Sequence, residues 1–257
     1  GLTMALGNNI GYFGPYEHKL RNIAEVPHWK GCTAGQTAIA LEADGTVKGC
    51  PSLPTVGYAG GNIRELSLEE IWNTSPEIHF GRLRSVDDLW GFCRTCYYAD
   101  VCRGGCTWTS HSLLGKPGNN PYCHYRALEL NKQGLRERIR KVEDAAQSSF
   151  AVGRFEVIRE SVPENQTDAV INWQGMPQQT DVQIPVNFPE AEVYDQNPEG
   201  RVPPELERCK ACNQFILPDE EVCPACETNV AEANTQYAED KQRWEALMAK
   251  IQAVISR

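Results

Sequence analysis

Five cysteines crowd residues 91–123: Cys93, Cys96, Cys102, Cys106 and Cys123, with two, five, three and sixteen residues between them. A thiolate is the soft ligand that zinc and iron–sulfur clusters require, and a two-residue gap lets both sulfurs of one turn reach a single metal centre. Cys32 and Cys50 precede this stretch. Near the end, Cys209, Cys212, Cys223 and Cys226 form two Cys-x2-Cys knuckles ten residues apart. Two such knuckles make a four-thiolate tetrahedral site, and the short gap favours a structural zinc ribbon over a single iron.

The chain carries 11 cysteines, an odd number, so the competing reading is a disulfide framework with one thiol spare. Three Cys-x2-Cys pairs suit metal knuckles better. The opening residues lack the basic flank of an export signal, which leads us to expect a reducing, cytoplasmic setting. No apolar run reaches the length of a membrane span. With 25 basic and 34 acidic residues, the net charge of −9 argues against nonspecific nucleic-acid binding and against an anionic membrane surface.

The elements that must position these thiols are short. Residues 38–43 and 46–49 flank Asp44-Gly45, a two-residue hairpin signal whose glycine supplies positive φ. Cys32 precedes this hairpin and Cys50 follows it, so the ribbon brings the two toward one end; coincidence is the bland alternative. Residues 51–61 read as a loop. Ser67 and Glu70 spell a capping box that starts a helix ending near Asn73, with Leu66 and Ile71 as its staple, and a second helical piece spans 77–84. Residues 124–142 read as a helix with Gly134 as its weak point. Its basic run, Arg136, Arg138, Arg140 and Lys141, reads as a solvated helix face or else as a docking patch for an acidic segment.

A strand is expected around Phe155, Val157 and Ile158. Residues 163–208 hold seven prolines, nine acidic residues and two basic ones, a composition of an extended linker, with Trp173, Phe188 and Tyr194 scattered along it. Residues 231–256 predict a helix with an apolar stripe at Tyr237, Trp244, Leu247, Met248, Ile251, Val254 and Ile255, suited to a core or to a partner helix. Residues 2–6 read as a lone strand.

Taken together, the first seven cysteines run Cys32-x12-Gly45-x4-Cys50, a gap, Cys93-x2-Cys96-x5-Cys102-x3-Cys106, a gap, and Cys123. This resembles the seven-cysteine signature of the SPASM domain, the C-terminal extension of many radical SAM enzymes that modify ribosomally made peptides. The resemblance implies two auxiliary 4Fe-4S clusters, the first on Cys32, Cys50 and Cys106 and the second on Cys93, Cys96, Cys102 and Cys123. Two zinc sites on the same thiols are the runner-up, but a structural zinc needs four closed ligands and the first set offers three. One iron of the first cluster would stay open to solvent or substrate, unless His28 or His111 fills it.

A radical SAM enzyme also carries a Cys-x3-Cys-x2-Cys motif in a β/α barrel, and this sequence has none. The strand at 2–6 looks like the end of such a barrel. The chain therefore reads as a fragment of a maturase or a module serving one in trans, not competent alone to cleave S-adenosylmethionine.

The expected fold is α+β: a small antiparallel hairpin and short helices organised around clusters, then a linker and a zinc ribbon with a C-terminal helix. Expected boundaries are 1–30 for the N-terminal segment, 31–145 for the cluster domain, 146–205 for strand and linker, and 206–257 for the ribbon and helix. The expected role is electron relay and substrate positioning, with two 4Fe-4S clusters, one zinc ion, a precursor peptide and a radical SAM barrel as partners. The rival from another class is a zinc-stabilised interaction module that recruits a peptide or partner enzyme.

Overall fold

A computed structural model describes residues 12–14, 17, 28–29, 31–162 and 204–255. The readings made on residues 2–6 and 163–203, including Trp173, Phe188 and Tyr194, lie outside the described residues. The architecture is α+β, with short helices and three small antiparallel sheets. The chain divides into two compact units. Among the described residues, the larger comprises Tyr12, Trp29 and residues 31–162, and the smaller gathers Phe13, Gly14, Glu17 and His28 with residues 204–255.

In the larger unit, strands β1 (Ala40–Leu41), β2 (Thr46–Lys48) and β3 (Ala59–Asn62) form one antiparallel sheet. The turn at Asp44-Gly45 is present, but as a three-residue loop. The Glu42 N–H donates to the Thr46 carbonyl at 2.8 Å, and Gly45 sits at φ 94°. A turn followed by one left-handed residue is the usual three-residue hairpin. Three of the four residues of strand β3 fall inside the stretch read as a loop. Its sequence, Ala-Gly-Gly-Asn, has no alternation to betray it, and its glycines serve close packing instead. A Cβ on Gly60 would stand 2.7 Å from Ile78 Cγ2. Behind the sheet, Val47, Ile71 and Ile78 form a fully buried cluster.

The helix Leu68–Thr74 begins as its sequence dictates. Ser67 Oγ accepts from the Glu70 N–H at 3.1 Å, and Glu70 Oε2 accepts from the Ser67 N–H at 2.8 Å. Both bonds satisfy helix-end donors that would otherwise face water alone. The second helical piece divides into a 3-10 turn, Pro76–Ile78, and a short helix, Phe80–Leu83. A 3-10 turn at Gly91–Thr95 and helices Ala99–Cys102, Thr107–Leu114 and His124–Lys132 then carry the cysteine-rich stretch.

The expected helix over 124–142 is half correct. Gly134, at φ 70°, ends it, and the chain continues as strand β4 (Leu135–Glu143) paired with β5 (Arg154–Ser161). Alternation decides the matter. Arg136, Arg138 and Arg140 lie two apart, so a strand puts all three on one face, opposite Glu160 and Glu156. Arg136 meets Glu160 at 2.8 Å and Arg140 meets Glu156 at 2.7 Å. The basic run is therefore a cross-strand ion-pair ladder and neither a helix face nor a free docking patch. On the other face, Glu137 takes Arg159 at 2.7 Å and the buried Arg126 at 2.6 Å, which fastens the hairpin to helix His124–Lys132.

The smaller unit holds β6 (Glu207–Arg208) and β7 (Phe215–Ile216), a two-stranded ribbon, followed by the 26-residue helix Val230–Ile255. Its core stacks His28 edge-on to Phe215 at 5.3 Å, beside Phe13 and Leu206. The helix leaves Tyr237, Trp244, Leu247 and Ile251 exposed, so those stripe residues form no core within the described residues.

Candidate metal centres

The seven thiols of the larger unit are expected from the sequence as a group of three, Cys32, Cys50 and Cys106, and a group of four, Cys93, Cys96, Cys102 and Cys123. Burial is the largest cause pushing the Cys32 thiol up, opposed by the Ala34 N–H and Arg84, while Cys106 and Cys50 push it further. Cys32 and Cys50 both pack on the buried cluster of Ala34, Leu53, Tyr58 and Phe80. Burial likewise pushes Cys93 up to about 11 and Cys96 up to about 12, each with Cys123 adding to the shift. Cys102, wholly enclosed, is raised first by burial and then by Cys123, Cys93 and Cys96. The leading charged neighbours of each of these thiols thus include cysteines of one group only: Cys32 with Cys50 and Cys106, and Cys93, Cys96 and Cys102 with Cys123.

The loop between Cys102 and Cys106 joins one expected group to the other. Arg103, Gly104 and Gly105 are successive left-handed residues, at φ 51°, 79° and 68°. Such a run reverses the chain within three residues, and only glycine adopts it without strain. Tyr12 plugs the inside of the loop. A Cβ on Gly105 would come within 2.6 Å of its ring, its hydroxyl accepts from the Cys106 N–H at 3.1 Å, and its carbonyl accepts from the Tyr125 N–H at 3.1 Å. Tyr12 lies outside the cysteine pattern, and nothing in the sequence marked it.

Backbone donors prepare several of the sulfurs. Cys32 and Cys96 each accept from an N–H two residues on, from Ala34 and Tyr98, and Cys212, Cys223 and Cys226 do the same from Gln214, Ala225 and Thr228. Hydrogen bonds of this kind favour the thiolate that a metal needs, against the burial that disfavours it. Tyr97, Tyr98, Tyr125 and Phe92 form a chain of edge-on rings, with Tyr98 fully buried.

Arg84 stands between the groups. It is 2% exposed, and its Nη1 donates at 3.2 Å both to the Arg103 carbonyl, next to Cys102, and to Thr107 Oγ1, next to Cys106. Its Nη2 is buried and has no hydrogen-bond partner among the described residues. The other buried guanidinium near Cys93, Arg126, is matched by Glu137.

Neither histidine named from the sequence is poised in isolation. His28 belongs to the smaller unit, where its Nε2 accepts from the Leu206 N–H at 3.2 Å. His111 meets the Tyr58 hydroxyl through Nδ1 at 3.1 Å, one residue removed from Cys32 and Cys50, and burial lowers its pKa.

In the smaller unit Cys209, Cys212, Cys223 and Cys226 bring their sulfurs within 4.8 Å of one another, the one such set among the described residues. Cys209 to Cys226 and Cys212 to Cys223 are each 3.8 Å. Four thiolates at about 2.3 Å from one ion stand about 3.8 Å apart along a tetrahedral edge, so these residues fit a single metal ion. The seven other thiols form no set as tight as this.

Residues 32–97 match the family model of SPASM, an iron-sulfur cluster-binding domain. The chain is 37% identical over 98 residues to an AdoMet-dependent heme synthase of Methanosarcina barkeri, covering 38% of this chain and 26% of that protein. It is 29% identical over 121 residues to the PqqA peptide cyclase of Gluconobacter oxydans, covering 46% and 31%. It is 30% identical over 95 residues to the mycofactocin maturase MftC of Mycobacterium ulcerans, covering 36% and 25%. The chain thus spans between a quarter and a third of the length of these relatives. Among the described residues no helix is long and apolar enough to cross a membrane.

Proposed function

We propose that the larger unit is the auxiliary cluster portion of a radical SAM enzyme that modifies a ribosomally made peptide, serving electron relay and substrate positioning. The reading is supported by the charged neighbours of the thiols, which link Cys32 with Cys50 and Cys106 and link Cys93, Cys96 and Cys102 with Cys123. Cys93, Cys96, Cys102 and Cys123 supply a full ligand set for one 4Fe-4S cluster. Cys32, Cys50 and Cys106 supply three ligands for a second, leaving one iron for a substrate atom or for His111. When bound, such clusters accept and pass single electrons.

The protein's own part is to bury the thiolates, supply N–H donors and exclude water, each of which tunes a cluster's potential. The relatives named as a peptide cyclase and a maturase support a precursor peptide as substrate, and a radical SAM barrel, in the same gene product or in trans, as partner. The smaller unit takes one zinc ion and serves as a docking module, a reading supported by its 3.8 Å sulfur spacings. The proposed setting is cytoplasmic, without nucleic acid or membrane.

Anaerobic reconstitution tests the reading. About eight irons per chain, with matching acid-labile sulfide and a broad brown absorption, are expected. Stoichiometric zinc on the seven thiols with no sulfide would instead favour the zinc-stabilised interaction module.

A further inference from the structure

Arg84 presents a physical problem that the thiols resolve. A buried guanidinium is always charged, and burying it without a countercharge costs several kcal/mol. No carboxylate pairs with it among the described residues, and its two acceptors, the Arg103 carbonyl and Thr107 Oγ1, are neutral. Both acceptors immediately follow a cysteine, one from each thiol group. The loop that divides the cysteines therefore also fixes the cation, with Nη2 left over. Thiolate-ligated clusters are anionic, and they are the anions that the neighbouring residues are built to hold.

We propose that Arg84 is the shared charge partner of both cluster sites and a positioning residue that sets their reduction potentials. The proposal rests on the reading of the seven thiols as cluster ligands. A fixed cation favours the state with the added electron, so removing it must lower the potential. Arg94, the residue next to Cys93 in sequence, is the natural contrast. Its side chain is 55% exposed and paired with Asp87 at 3.5 Å, so water and a carboxylate screen it.

The test is an EPR-monitored redox titration of the reconstituted full chain, with iron and sulfide counted in every sample. In Arg84→Gln at least one cluster should show a tenfold lower reduced-to-oxidised ratio at fixed potential, about 59 mV for one electron. Arg84→Lys, which keeps the charge, should shift less, and Arg94→Gln should leave both potentials in place. Full iron with unchanged potentials in Arg84→Gln overturns the proposal, as does an equal shift in Arg94→Gln. Wild-type protein lacking iron and sulfide would instead overturn the cluster reading beneath it. If Arg84→Gln fails to load, wild-type protein labelled with ¹⁵N in its arginine guanidinium groups decides the question. A nitrogen coupling to a reduced cluster that disappears in Arg84→Lys supports the proposal, and no such coupling overturns it.

Discussion

Tyr12 and Cys106 are joined by a hydrogen bond in which the cysteine N–H donates to the phenol oxygen across 3.1 Å. The ring that carries this oxygen is 1% exposed and packs on Trp29 at 4.6 Å. A residue upstream of the whole cysteine pattern therefore holds the turn that separates the thiol groups. Tyr12→Phe keeps the ring and removes the acceptor, leaving a backbone donor unpaired at a cost of about 1–3 kcal/mol. Tyr12→Ala adds a cavity and should cost about 3–5 kcal/mol. Urea unfolding of the reconstituted chain measures both. Equal stabilities of Tyr12→Phe and wild type would show that the bond carries no weight.

Metal-free and loaded protein should respond to pH with opposite slopes. In the metal-free chain, burial lifts Cys93 to about 11 and Cys96 to about 12 from a usual 9.0. A folded pKa above the unfolded one means that these protons are held more tightly in the native state. Their contribution to stability is full below about pH 9 and is lost as pH rises toward the folded values. Loading requires the thiolates and releases their protons, so metal affinity should rise with pH through neutrality. Urea midpoints of reduced metal-free protein at about pH 7 and about pH 10, set beside iron affinities on the acid side, test both signs. A metal-free midpoint that rises toward pH 10 contradicts the burial argument.

The three-thiol site should take an outside ligand. Adding a small thiol or a cysteine-containing peptide to reconstituted protein should perturb the EPR spectrum of one cluster and leave the other alone. The His111→Ala variant then separates two cases. If its cluster changes before any thiol is added, His111 is the fourth ligand. If only the thiol acts, in both proteins, the iron was open. No response in either protein would reduce that cluster to a relay or a staple.

Zinc in the smaller unit should be separable from iron in the larger. Cys209→Ser should release about one zinc and melt the ribbon that includes β6 and β7, while iron and sulfide stay at wild-type levels. Atomic emission on the purified variant measures both metals at once. Loss of iron together with zinc would show that the two units fold as one.

Thiol spacing and turn chemistry are local, so the features that depend on them are legible in the sequence. The knuckles, the capping box at Ser67 and Glu70 and the turn at Asp44-Gly45 all follow from residues within a few positions of one another. What escaped depends on partners distant in sequence. The Arg136–Lys141 run reads as a helix until β5 supplies Glu156 and Glu160, and then its two-residue alternation becomes the stronger pattern. Strand β3 has no β-forming side chains and exists because Ile71 and Ile78 need something thin to pack against. Tyr12 and Arg84 are single residues whose meaning arises only when the Cys102–Cys106 loop folds around them.

That loop has a consequence for how the protein matures. Because Cys102 and Cys106 are tied by three residues of fixed conformation, filling either group immobilises a ligand of the other. The chain entropy that the second filling would otherwise lose has largely been lost already. Half-loaded molecules should be scarce: native mass spectra taken during a limiting-iron titration should show empty and doubly loaded chains in excess over singly loaded ones. A cell assembling this protein would then face a single commitment, made once per chain, in place of two independent ones.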